Sequence, residues 1–134
     1  MVNKLGSRRT GASTVEFALV GTVLAVLLFG LLILGLGVFR YQQVASLARE
    51  GARWVSVRGP QYQSETGTAA PTSSDVKTAI TDMFFAMDSS DVTVTLTFNT
   101  SKTIATVQVS YQWLPEALLG GMTLSSTAKI PVCY

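Results

Sequence analysis

The sequence predicts an α+β chain: a long N-terminal helix, a second short helix and a three-stranded antiparallel sheet. Three observations carry that prediction. From Phe17 to Phe39 no residue is charged, and the run FALVGTVLAVLLFGLLILGLGVF is too long for a strand or an ordinary core helix. Val76, Ala79, Ile80, Met83, Phe84 and Met87 recur at helical spacing. Val92–Phe98 then alternates apolar and polar residues without error, and two further alternating runs follow.

The chain opens on a short basic, polar stretch, Met1–Thr10, which has no periodicity and is expected to be structureless or membrane-flanking. The apolar run after it covers roughly 34 Å as a helix, at about 1.5 Å per residue. A bilayer core is about 30 Å thick, so residues 17–39 are long enough to span it with little slack for tilt. The run is too long for the core of a cleaved secretory signal, and the nearest small-residue exit, Ser46–Ala48, lies well beyond it. Ala18, Thr22 and Ala25 form a small-residue stripe with Gly21 beside it, which allows close helix approach in lipid. Gly30, Gly35 and Gly37 each weaken the helix by about 1 kcal/mol.

Beyond Phe39 the pattern becomes amphipathic. Tyr41, Val44, Leu47, Ala48, Gly51 and Val55 fall on one stripe, and Arg40, Gln43, Glu50 and Arg53 are read off it. The helix is therefore expected to continue to about Val57. Arg49, Glu50 and Arg53 read as a solvated face with a weak Glu50–Arg53 pair. Gly59–Ser74 is rich in Pro, Gly, Ser and Thr and reads as a loop. Thr72 followed by Asp75 marks a helix start, and the helix is expected over 75–87, stopping near Asp88. The strands are Val92–Phe98, a second ending at Pro115 with Val107, Val109, Tyr111 and Trp113 on one face, and a third over about 122–132. Asn99–Lys102 connects the first two, and Glu116–Gly121 reads as a turn or short helix. Pro131 belongs at a strand end or sheet edge. One sheet face is expected to pack against both helices.

Composition excludes several function classes. The absence of His removes His-based triads and His metal sites. Beyond Gly59 three lysines face six carboxylates, so the distal part is mildly acidic and carries no nucleic-acid footprint. The lone Cys133 has no internal disulfide partner and reads as a partly buried, inert thiol, with pairing between chains in an oxidising compartment as the alternative. The carboxylates are scattered, with no nucleophile–base pair and no phosphate-binding loop. Neither an enzyme activity nor a cofactor or metal is expected.

One carboxylate stands apart. Glu16 sits at the mouth of the apolar run, where a charge is costly unless it is paired or snorkels; it also suits the positive end of the helix dipole. Arg8-Arg9-Thr10-Gly11 followed by Ala12-Ser-Thr-Val-Glu16-Phe17 resembles the type IV prepilin leader: a basic leader ending in Gly, a Glu at the fifth mature position, then a long apolar helix. The resemblance implies cleavage between Gly11 and Ala12 by a prepilin peptidase at the cytoplasmic face. Glu16 would then pair with the new amine of a neighbouring subunit, and Phe17 would open the packed helix. Ala12 departs from the aromatic first residue of many type IV pilins. A second stretch, Ala48-Arg49-Glu50-Gly51-Ala52-Arg53-Trp54, resembles the signature of TadE-like minor pseudopilins of the tight-adherence (Tad/Flp) pilus machinery.

Taken together, these resemblances imply a pilin-like architecture. Residues 1–11 form the leader. Residues 12–58 form the long helix, membrane-spanning at about 17–39 and amphipathic over 40–57. Residues 59–134 form a periplasmic or extracellular head. They also imply a structural role in pilus assembly. The expected partners are other pilins and pseudopilins, the prepilin peptidase, the inner-membrane assembly platform, and membrane lipid before assembly. Localisation would be the bacterial inner membrane with a cytoplasmic N-terminus, followed by incorporation into an extracellular pilus. Charge counting does not fix this orientation, because Arg40, Arg49, Arg53 and Arg58 follow the apolar run. The alternative is an uncleaved single-pass protein whose periplasmic head binds an envelope partner.

Overall fold

The computed structural model describes residues 9–113 and 120–133, with side chains from residue 11 onward. The elements are α1 (Arg9–Ser56), α2 (Pro60–Thr66), α3 (Ser73–Ile80) with a 3-10 turn at Thr81–Met83, β1 (Val92–Phe98), β2 (Ile104–Trp113) and β3 (Met122–Pro131). The expected α+β class is therefore present, with the sheet as predicted and one extra helix. The chain divides after Gly37 into two compact units, so residues 38–56 of α1 belong with the head.

In the N-terminal unit α1 is unbroken through Gly21, Gly30, Gly35 and Gly37. The helix already includes Arg9 and Thr10, the end of the stretch expected to be structureless or membrane-flanking. An α-helix closes its hydrogen bonds within its own segment, so a polar start needs no tertiary support. Its apolar side chains are exposed, Phe17 by 78% and Leu31 by 69%. A helix that is apolar on all sides must be covered by lipid or by other helices.

The C-terminal unit builds one core. Val44, Leu47, Ala48, Ala52 and Val55 of α1, Val76 and Ile80 of α3, and the inward residues of β1 and β2 are buried. Sheet order is β1-β2-β3, antiparallel throughout, with Val94 opposite Val109 and Val107 opposite Ala128. Val107, Val109, Tyr111 and Trp113 all face the core, as their alternation predicted. Helix α3 also closes the outer edge of β1. Lys77 Nζ donates to the Val92 carbonyl at 2.7 Å, and the Leu96 N–H donates to Ser73 Oγ at 3.0 Å. These bonds satisfy strand-edge groups that would otherwise be open to another strand. Pro131 ends β3, an edge strand.

Four expectations are corrected. The 59–74 loop contains α2, begun by Pro60 and ended by Gly67 at φ +67°, whose N–H donates to the Gln63 carbonyl at 3.0 Å. Pro in a first helical turn and Gly just past the last mark helix boundaries, not a structureless loop. The 75–87 helix starts at Ser73 and stops at Ile80, then tightens into the 3-10 turn. Met83 is exposed and Phe84 half-buried, while Met87 reaches the core from a loop. Ala86 at φ +52° and the turn at Asp88, whose Oδ1 accepts from the Ser90 N–H at 2.9 Å, prevent helical continuation. Tyr41 is exposed although it lies on the expected stripe. Cys133 is exposed, not partly buried. Pro115 and most of the Glu116–Gly121 segment lie outside the described residues; Gly120 and Gly121 precede β3 without helical structure.

Candidate assembly site

The sequence singled out two groups of residues, one in each unit. In the N-terminal unit Gly11, Ala12, Glu16 and Phe17 lie on consecutive turns of α1 and are exposed. Ala12 and Glu16 are four residues apart, so they share a face. Ala18, Thr22 and Ala25 follow, all exposed. The Thr22 hydroxyl donates to the Ala18 carbonyl at 2.8 Å, so the helix satisfies its own polar atom. The hydroxyl therefore needs no polar partner outside the helix.

In the head, the segment Ala48–Trp54 divides by face. Ala48, Gly51 and Ala52 are buried and form the seat of the head on α1. A Cβ at Gly51 would stand 3.0 Å from Val76 Cγ1 and 3.3 Å from Val107 Cγ1, so α3 and β2 press on α1 there. Residues this small are what allow three elements to meet at one point. Arg49 and Arg53 are exposed, and Glu50 is half-buried. Arg49 Nε donates to the Ala45 carbonyl at 3.2 Å, one turn back. The expected Glu50–Arg53 pair is absent among the described residues.

Trp54 is held by a residue that sequence reasoning passed over. The Arg58 guanidinium lies 3.8 Å from the Trp54 ring centroid and 5.7 Å from that of Tyr62. Its Nη1 donates to the Trp54 carbonyl at 3.0 Å. The spacing of Trp54, Arg58 and Tyr62 is the available signal, since each step is four residues. Together with Pro71, Asp75 and Thr78, these residues line a groove of about 620 Å³. The Asp75 carboxyl is held below its ordinary range, first by the Thr72 hydroxyl and then by the Thr72 backbone N–H. Arg40 and Gln43 were also missed as contacts. Both were read off the packed stripe, yet both donate to the Phe85 carbonyl, at 3.1 and 3.4 Å. That contact depends on where a distant loop returns, which helical periodicity does not report.

These features define a class: an apolar helical stem bearing a small α+β head seated on the stem's own continuation. Within that class, residues 11–53 match the family described as TadE-like protein, so the stem and most of the helical seat of the head are similar to that family. The match covers about a third of the chain. No curated protein and no solved structure matches. The TadE-like match supports a pilus-related component of structural kind, and the long apolar helix supports a membrane anchor.

Proposed function

We propose that this chain is a minor pseudopilin of a tight-adherence pilus, made as a precursor and cut between Gly11 and Ala12. The observation that carries this reading is the pairing of an exposed apolar stem with a single carboxylate, Glu16, at its start. In the uncut chain the scissile bond lies within α1, so the helix must open locally for the peptidase to cut it. Cutting removes Lys4, Arg8 and Arg9 and exposes the Ala12 amine. The stem then leaves the bilayer for a bundle of other pilin stems, and Glu16 compensates the amine of a neighbour. The Ala18–Thr22–Ala25 stripe lets stems pack closely, and the head supplies lateral contacts. No bond is made or broken by this chain. Its partners are other pilins, the prepilin peptidase and the inner-membrane assembly platform, with the N-terminus cytoplasmic and the head periplasmic.

Mass spectrometry of the membrane-derived chain tests the reading. In cells with active prepilin peptidase the chain should begin at Ala12, and Glu16→Gln should be processed normally yet fail to enter the polymer. An intact Met1–Gly11 in such cells would instead establish the uncleaved single-pass alternative.

A further inference from the structure

The segment between α3 and β1 is built to expose apolar side chains at one level of α1. Phe85 is 71% exposed and Met83 51%, whereas Met87, two residues on, is buried and anchors the loop. The exposure is structured. The Phe85 N–H donates to the Met83 carbonyl at 2.9 Å, and Ala86 adopts φ +52°, a left-handed conformation costly for a residue with a Cβ. In water this arrangement disperses a large aromatic surface with no compensation.

The level at which the loop is held identifies what covers it. Its Phe85 carbonyl accepts from Arg40 Nη1 at 3.1 Å, and Arg40 is the first charged residue after the apolar run. Arg40 is flanked on α1 by Phe39 and Tyr41, both about half exposed. Aromatic side chains beside a cation at the end of an apolar span are the usual anchors of a membrane–water interface. The Arg40 guanidinium makes its contacts through Nη1, to the Gln43 side chain and the Phe85 carbonyl, and no carboxylate pairs with it among the described residues. A lipid phosphate is the counter-charge such an interface supplies. Asp82 and Asp88 flank the loop and are exposed, so the surface that suits it best is zwitterionic.

We propose that the 83–87 loop is an interfacial wedge, with Phe85 and Met83 entering the headgroup region of the leaflet from which α1 emerges and Arg40 lying at phosphate depth. The head is then docked on the bilayer by a second contact besides the stem. Withdrawal of the stem into a filament must also strip this wedge from lipid. The inference rests on the reading of α1 as a membrane stem, and not on the pilus role.

The test places nitroxide labels on the full chain in phosphatidylcholine nanodiscs, in a Cys133→Ser background. Separate samples carry Met83→Cys, Leu28→Cys in the stem and Asn99→Cys in the β1–β2 turn. The label at 83 should show an oxygen-to-nickel-chelate accessibility ratio several-fold above that at 99, on the side of the label at 28. Adding Phe85→Asp should return the label at 83 to the value at 99. Tryptophan emission from Trp54 and Trp113 should be unchanged, which shows that the head remains folded. A label at 83 that behaves like 99 while 28 remains oxygen-exposed overturns the wedge and leaves the stem reading standing. Spectral broadening at 83 that is relieved by unlabelled chain would show that a second copy covers the loop, and would equally overturn it. A water-exposed label at 28 would remove the stem reading and the wedge together.

Discussion

Gly51 is where the head is most sensitive to one added carbon. On an open helix face Gly→Ala is stabilising by about 1 kcal/mol, because alanine loses less backbone entropy. At Gly51 the new Cβ would stand 3.0 Å from Val76 Cγ1, 3.3 Å from Val107 Cγ1 and 3.9 Å from Ile80 Cγ2. Val76, Val107 and Ile80 are fully buried, so none can swing into solvent. Relieving such overpacking costs about 1–3 kcal/mol. The two terms oppose, and the larger is the packing term, so Gly51→Ala should destabilise the head by about 1 kcal/mol net. For a unit of this size that lowers Tm by roughly 4–8 °C. Gly51→Val adds two more methyls at the same point and a β-branched helix residue, and should prevent cooperative folding of the head. Thermal unfolding of the detergent-solubilised full chain, followed by tryptophan emission, measures both. Gly30→Ala is the control, because nothing stands within 4 Å of its Cβ position. If Gly51→Ala raised Tm, the close approach of α1, α3 and β2 would be wrong.

Three further outcomes follow from the head. Thr72→Ala breaks the side-chain half of a reciprocal cap: the Thr72 N–H still donates to Asp75 Oδ2, at 2.9 Å, but the Asp75 N–H loses Thr72 Oγ1, its acceptor at 3.4 Å, which should cost about 1 kcal/mol in denaturant unfolding. The same cap sets a pH dependence. Because hydrogen bonds from Thr72 depress the folded Asp75 carboxyl, its contribution is complete above the ordinary carboxylate range, near 3.9. It is lost as pH falls through the lower folded value. Amide exchange in the first turn of α3 should accelerate across that acid window, and Asp75→Asn should abolish the dependence. Gly59→Ala would drive a Cβ into the Cys133 carbonyl oxygen and to 2.8 Å from Val132 Cγ1. It should detach the segment that follows Pro131, visible as faster exchange of the Cys133 N–H, which otherwise donates to the Ser56 carbonyl at 2.9 Å.

What the sequence disclosed, and what it hid, follows from the range of the interactions involved. The strands were legible because alternation over seven or more residues has one common cause, a sheet with one buried face. The long helix was legible from its apolar length, and the Thr72–Asp75 start from local hydrogen-bonding chemistry. Helix α2 was missed because Pro60 and Gly67 were taken as breakers of structure, when they stand at its two ends. The end of α3 was overrun because Met83, Phe84 and Met87 keep a helical spacing that the backbone does not follow. No residue type signals the left-handed backbone at Ala86, since alanine is uncommon there. The same limit applies to the site. Ala48, Gly51 and Ala52 were recognised as part of a pattern, but the pressure of Val76 and Val107 that demands their size is tertiary. Arg40 illustrates it most directly, because its contact lies 45 residues away.

The stem accounts for why small terms can govern this protein's fate. Its apolar side chains are exposed along the helix, and their burial in lipid removes them from water. Burial among other apolar stems removes them equally, because lipid tails are as apolar as leucine. The large hydrophobic term therefore nearly cancels between the membrane and a helical bundle. On the proposed reading, what remains is close packing along Ala18, Thr22 and Ala25, the pairing of one carboxylate, and whatever holds the head to the bilayer. On that reading Glu16 would favour the bundle, where a neighbour's amine can meet it, and an interfacial Phe85 would favour the membrane. A stem whose main driving force is balanced can be moved by either. On this argument, Glu16→Gln and Phe85→Asp should shift the partition between membrane and assembled fractions in opposite directions, while leaving the fold of the head intact.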